Sequence, residues 1–140
     1  MKIRVFGALA LAVALVPLTA CGSSTPLVVP TAAPTLTTET FNGTVDPLGV
    51  SINPFTVAVN GEVDVTLTAA GPPPTIQMIV AVGVPSGTSC AILTNGATLT
   101  AAGPTPQLTG TLPPGSYCVQ VSDNGNQLVT ITYTVTVTHP

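Results

Sequence analysis

Few residues of this chain have side chains suited to chemistry, and their spacing decides what each could do. Glu62 and Asp64 lie two apart, which on a strand places both carboxylates on one face. Such a pair can move protons or hold a hard cation. On an outward face beside threonines it more often keeps a strand soluble and discourages edge pairing, and that is the expectation here. Asp123-Asn124-Gly125-Asn126 resembles the start of a calcium loop, but residues 127–140 contain no acid to supply the distal ligand. Asx residues around a glycine also form tight turns, and a turn is expected. His139 is the only histidine; a general base needs a fixed neighbour, so an exposed tail residue is expected there. Ser86, Ser89, Ser116 and Ser122 have no other base to serve them, and no Gly-x-Ser-x-Gly elbow holds any of them. Neither a glycine-rich phosphate loop nor a Cys/His zinc cluster is present. The expectation is a protein without catalytic, metal or cofactor residues, and not an enzyme.

Charge narrows the partners. The only two basic residues, Lys2 and Arg4, stand at the start of the chain; the five acids are Glu39, Asp46, Glu62, Asp64 and Asp123. A surface without cations cannot neutralise phosphates, which excludes nucleic acid, and it gains nothing electrostatically from anionic lipid.

After Lys2 and Arg4, residues 5–16 form an apolar run broken only by Gly7, and Leu18-Thr19-Ala20-Cys21 follows. The run is shorter than the ~20 residues a bilayer-spanning helix needs. The pattern resembles a bacterial lipoprotein signal peptide closing on a lipobox. That resemblance implies cleavage before Cys21, a diacylglycerol on its thiol, and membrane lipid as a partner through the acylated cysteine. Gly22, rather than the aspartate that retains lipoproteins at the inner membrane of enteric-type bacteria, favours the outer membrane by the same analogy. With Cys21 so committed, Cys90 and Cys118 remain as an even pair in an oxidising compartment and are expected to form a disulfide; two separate buried thiols are the alternative.

These residues must be held by a small number of elements. Residues 1–20 are the expected signal peptide. Residues 21–38, dense in Pro, Ser and Thr, read as the lipidated cysteine and an extended tether. Residues 39–140 read as one domain, within the usual size of ~100–150 residues. Phe55 to Val59, Asn60-Gly61 and Glu62 to Thr68 have the alternation and turn of a two-residue hairpin. Ile131, Tyr133, Val135 and Val137 alternate with threonines as a core-facing row, and Tyr117, Val119 and Val121 form another. Within the apolar run 76–84, the continuously apolar stretch Met78 to Val82 reads as a central strand covered on both sides. A second hairpin is expected from Cys90 across Asn95-Gly96 to Thr100, and a short strand over 107–112. Pro72-Pro73-Pro74 and Pro104-Thr105-Pro106 mark connections. Sustained helical periodicity is absent from residues 21–140. The fold class expected is all-β, a single jelly-roll or Ig-like β-sandwich of about eight antiparallel strands.

Asn53-Pro54-Phe55-Thr56-Val57, the segment Val63 to Leu67, Pro114 to Val121 and Tyr133 to Val137 together resemble bacterial pre-peptidase C-terminal domains, small jelly-roll-like sandwiches appended to secreted enzymes. The likeness covers residues 39–138 and implies an accessory or binding module. The expected function is therefore a lipid-anchored cell-envelope protein presenting a non-catalytic module to a protein or glycan partner. A passive coat lipoprotein is the alternative, and an unrecognised hydrolase ranks behind both. Trp is absent and Phe55, Tyr117 and Tyr133 sit on inward rows, so a stacking platform for sugars is not expected. Hydroxyl contacts from the threonine faces stay open.

Overall fold

The computed structural model describes residues 32–140. The expected signal peptide, the expected lipidation site Cys21 and the expected tether up to residue 31 lie outside the described residues. Eight strands make the fold: β1 (Thr37–Val45), β2 (Val50–Val57), β3 (Gly61–Gly71), β4 (Gln77–Ser86), β5 (Ser89–Ala101), β6 (Leu108–Leu112), β7 (Gly115–Ser122) and β8 (Ile131–His139). No helix occurs among the described residues. The strands form two antiparallel sheets of four, ordered β1-β8-β3-β6 and β2-β7-β4-β5. First therefore pairs with last, second with seventh, third with sixth and fourth with fifth. That is a long two-stranded ribbon rolled up on itself, the topology of a jelly roll.

The inner faces of both sheets supply one core. Val45, Phe55, Val65, Leu67, Met78, Val80, Val119, Val121, Val135 and Val137 are all buried in it. Residues 32–140 thus carry a complete core and both sheets, and form one compact unit. The β8 row is as the alternation requires, with Ile131, Tyr133, Val135 and Val137 buried and the intervening threonines turned out. β4 is central, between β7 and β5. Met78, Val80 and Val82 join the core, while Ala81 and Gly83, also buried, face the other side.

Both expected Asn-Gly hairpins are corrected. β2 and β3 lie in different sheets, so Asn60-Gly61 carries the chain across the sandwich. The reason is register. A two-residue loop there would set Val57 opposite Asp64 and Phe55 opposite Thr66, and opposed residues share a face. Phe55 and Val57 would then lie on the side away from Val63, Val65 and Leu67. Crossing between sheets lets both rows face one core. Gly61 is required for a different reason: a Cβ there would stand 2.7 Å from Cγ of Pro140.

Asn95-Gly96 likewise makes no hairpin. β5 runs straight through it, and the β4–β5 turn comes earlier, around Gly87 with φ +61°. Gly83 pairs with Ile92 and Ala81 with Ala97, so Leu93–Gly96 form an extended bulge facing the single residue Val82. Asn95 has the left-handed φ of +59° that an Asn-Gly pair favours; it is used inside a strand. Gly96 fits there because a Cβ would lie 2.7 Å from the Val82 carbonyl oxygen.

Candidate functional site: the open side of the sandwich

A rolled ribbon leaves two sides where the sheets do not meet by hydrogen bonding. One runs between edge strands β1 and β2, the other between β5 and β6. The first is sealed. Tyr133 lies beneath Gly43, where any Cβ would come within 2.7 Å of its hydroxyl. That hydroxyl reaches β2, accepting a hydrogen bond from Asn53 Nδ2 at 2.9 Å and sharing one with Ser51 Oγ at 2.7 Å.

The second side is open. Between β5 and β6 lies a cavity of about 230 Å³ walled by Val63, Val65, Val82, Leu93, Leu108 and Leu112. Its rim carries Asn95 and Thr111. The bulge in β5 helps to make it, since it draws four residues out against Val82 instead of continuing a flat ladder. The connection following β5 ends at Gln107, whose Oε1 accepts from Leu67 N at 2.7 Å while its own N–H bonds to the Val65 carbonyl. Outside the cleft, Ile92 and Leu99 of β5 are 40% and 49% exposed.

The residues singled out for chemistry are dispersed. Glu62 is exposed and Asp64 half-buried on the outer face of the first sheet, where Thr109 Oγ1 donates to Asp64 Oδ1 at 2.7 Å. The surface-strand assignment matches this placement. The outer face as a whole is a hydroxyl array: Thr38, Thr138, Asp64 and Thr109 stand in one row across four strands, and Thr40, Thr136 and Thr66 in the next.

Asp123 forms the expected turn. Its Oδ1 accepts from the N–H groups of Gly125, Asn126 and Gln127 at 2.9, 3.1 and 3.3 Å, and Oδ2 from Leu48 N–H at 2.8 Å. Both carboxylate oxygens are thereby committed to the backbone rather than aimed at a cation. Partial desolvation favours the neutral acid, but the four N–H groups outweigh it and hold the carboxyl below its ordinary range. A depressed folded value makes this a contribution that is complete above the unfolded value of about 4 and lost as pH falls through the folded one. The stability gap between the protein and its Asp123→Asn variant is therefore expected to be constant near neutrality and to close in acid, measured by urea unfolding across pH.

The exposed-tail expectation for His139 is overturned. It is 5% exposed, its Nε2 donates to Glu39 Oε1 at 2.9 Å, and its ring packs on Phe55 with centroids 5.6 Å apart. The cause is phase: His139 continues the inward row of Ile131 to Val137, and pairing with Thr37 holds it there. Among the described residues no serine is bonded to it; Ser51 serves Tyr133, and Ser89 bonds the Ser86 carbonyl.

Cys90 and Cys118 form the expected disulfide, with an S–S distance of 2.03 Å and Cα atoms 6.0 Å apart. It joins β5 to β7 past the intervening β4 at Gly83, whose Cβ would stand 2.8 Å from Cys90 Sγ. Phe55, Tyr117 and Tyr133 are buried, as their inward rows require. The cleft itself was not among the sites expected from the chain, because its walls come from four strands in two sheets. No protein-family model matches the chain, and no curated protein is significantly similar to it.

Proposed function

We propose that this is an exported protein held to the cell envelope by lipid on Cys21, with the outer membrane as its place, and that its sandwich is a non-catalytic interaction module for a protein partner. The partner's contribution is an extended segment laid along the β5–β6 side with an apolar side chain in the cleft. The likeness of residues 39–138 to pre-peptidase C-terminal domains supports the reading of an accessory module.

One observation carries the choice of side. Edge strands invite pairing with other chains, and proteins guard them with charge or proline. The β1 and β2 edges are guarded by Glu39 and Pro54. β5, at 13 residues, and β6, at five, contain no charge and no proline; the bulge of β5 is confined to Leu93–Gly96, so Ala97–Ala101 stay a regular edge with no guarding device. Free backbone groups beside an apolar pocket are what strand addition uses, the ladder giving affinity and the pocket specificity.

The test is to pan residues 32–140 against a random peptide library. Enrichment of extended, β-branched sequences with one large apolar anchor is expected, and Ile92→Lys with Leu99→Lys, which guard the edge without touching the core, abolish it. Absence of enrichment, or binding indifferent to those lysines, favours the passive-coat alternative, to which the hydroxyl array is suited. For the anchor, protein purified from its native host is expected to begin at a diacylglycerol-modified Cys21 by mass spectrometry.

A further inference from the structure

At the end of the sandwich away from His139, two loops are built as one piece. The β1–β2 turn is Asp46-Pro47-Leu48-Gly49, closed by Gly49 N–H to the Asp46 carbonyl at 2.7 Å. The β7–β8 loop is gathered around Asp123, which also bonds Leu48 N–H and donates its own N–H to the Gly49 carbonyl at 3.1 Å. Thr130 Oγ1 completes the joint by donating to Asp46 Oδ1 at 2.6 Å.

This rigid mount presents apolar side chains outward. Leu48 is 83% exposed and Leu128 94%, with Val50 and Val129 more than half exposed beside them. Leu48 is also strained. Proline followed by a positive φ is the type II turn pattern, and its third position belongs to glycine or asparagine. Leu48 occupies it at φ +61°, a conformation disfavoured for an L-residue with a branched side chain. A leucine that is both strained there and absent from the core adds nothing to the fold, and strain retained at a surface points to use.

We propose that this loop end is a lipid-contacting surface, with Leu48 and Leu128 entering the interface of a zwitterionic phospholipid bilayer. The proposal goes beyond the strand-addition reading and uses the opposite resource of the domain, projecting tips rather than a cleft. Charge selects the occupant. Residues 32–140 hold five acids and no Lys or Arg, so an anionic surface is repelled and a second copy brings like charge to like charge. Zwitterionic headgroups offer ammonium groups to the exposed Asp46, whose Oδ1 alone is taken up by Thr130, and the hydrocarbon boundary offers burial to the leucines.

The chain contains no tryptophan, so Leu128→Trp in residues 32–140 gives a single reporter. Titrated with phosphatidylcholine vesicles, its emission is expected to shift to the blue and saturate, and binding is expected to weaken as phosphatidylglycerol replaces phosphatidylcholine. Leu48→Asn in the same background suits the left-handed position, so its melting temperature holds or rises while partitioning falls roughly tenfold or more. No spectral shift with phosphatidylcholine, binding that strengthens with phosphatidylglycerol, or partitioning unchanged by Leu48→Asn would each overturn the proposal.

Discussion

Replacing both Cys90 and Cys118 by alanine is expected to remove about 3–4 kcal/mol of stability, the chain-entropy contribution of a loop closed over this separation. The two residues are 28 apart in sequence, and Cys118 is 1% exposed. Domains of this kind have total stabilities of ~5–15 kcal/mol, so the change is a large fraction of the whole. The location adds to it. β5 is an edge strand whose only hydrogen-bonded neighbour is β4, and its ladder is interrupted by the bulge opposite Val82. The disulfide is its covalent tie to β7. Guanidinium unfolding of the double variant is expected to show a midpoint lowered accordingly, and amide exchange to quicken first along β5. A loss below about 1 kcal/mol would mean that the bridge does not restrain the unfolded chain as its span implies.

His139→Ala is expected to cost about 2–3 kcal/mol, the next largest effect. It removes a buried ring from Phe55, which in turn stacks on Tyr117 with centroids 5.8 Å apart. It also removes the donor to Glu39, the contact between the ends of β1 and β8. His139→Phe separates the two contributions, since it keeps a ring against Phe55 and loses only the hydrogen bond, with an expected cost of about 1 kcal/mol. Chemical unfolding of the two variants side by side gives the comparison. If His139→Ala were neutral, the ring would be packed without energetic consequence and the end of β8 would fray as a tail does.

The alternation of β8 and β7 was legible because period 2 reports directly which side chains face a core. The central position of β4 was legible from its unbroken apolar run. What alternation does not report is the partner. Asn60-Gly61 and Asn95-Gly96 both have the local chemistry of a hairpin, and both were diverted by the core. For the first, the conflict lies in the register, because a two-residue loop sets Val57 opposite Asp64. For the second no local signal distinguishes a left-handed bulge residue from a left-handed turn residue. His139 was legible in principle: it stands two residues beyond Val137 in the same row, and here the phase of the strand outweighs the readiness of chain ends to fray. The β5–β6 cleft was not legible at all, because strands distant in sequence wall it and its existence depends on which edges the rolled ribbon leaves unpaired.

The contrast between guarded and unguarded edges is the foundation of the functional reading, and amide hydrogen exchange with a selected peptide tests it most directly. Residues 32–140 saturated with the enriched peptide are expected to gain protection along β5 or β6 and around Leu93 and Leu112, with β1 and β2 unchanged. Protection appearing along β1 or β2 instead, or confined to the loops around Leu48 and Leu128, would contradict the assignment of the open side as the binding surface.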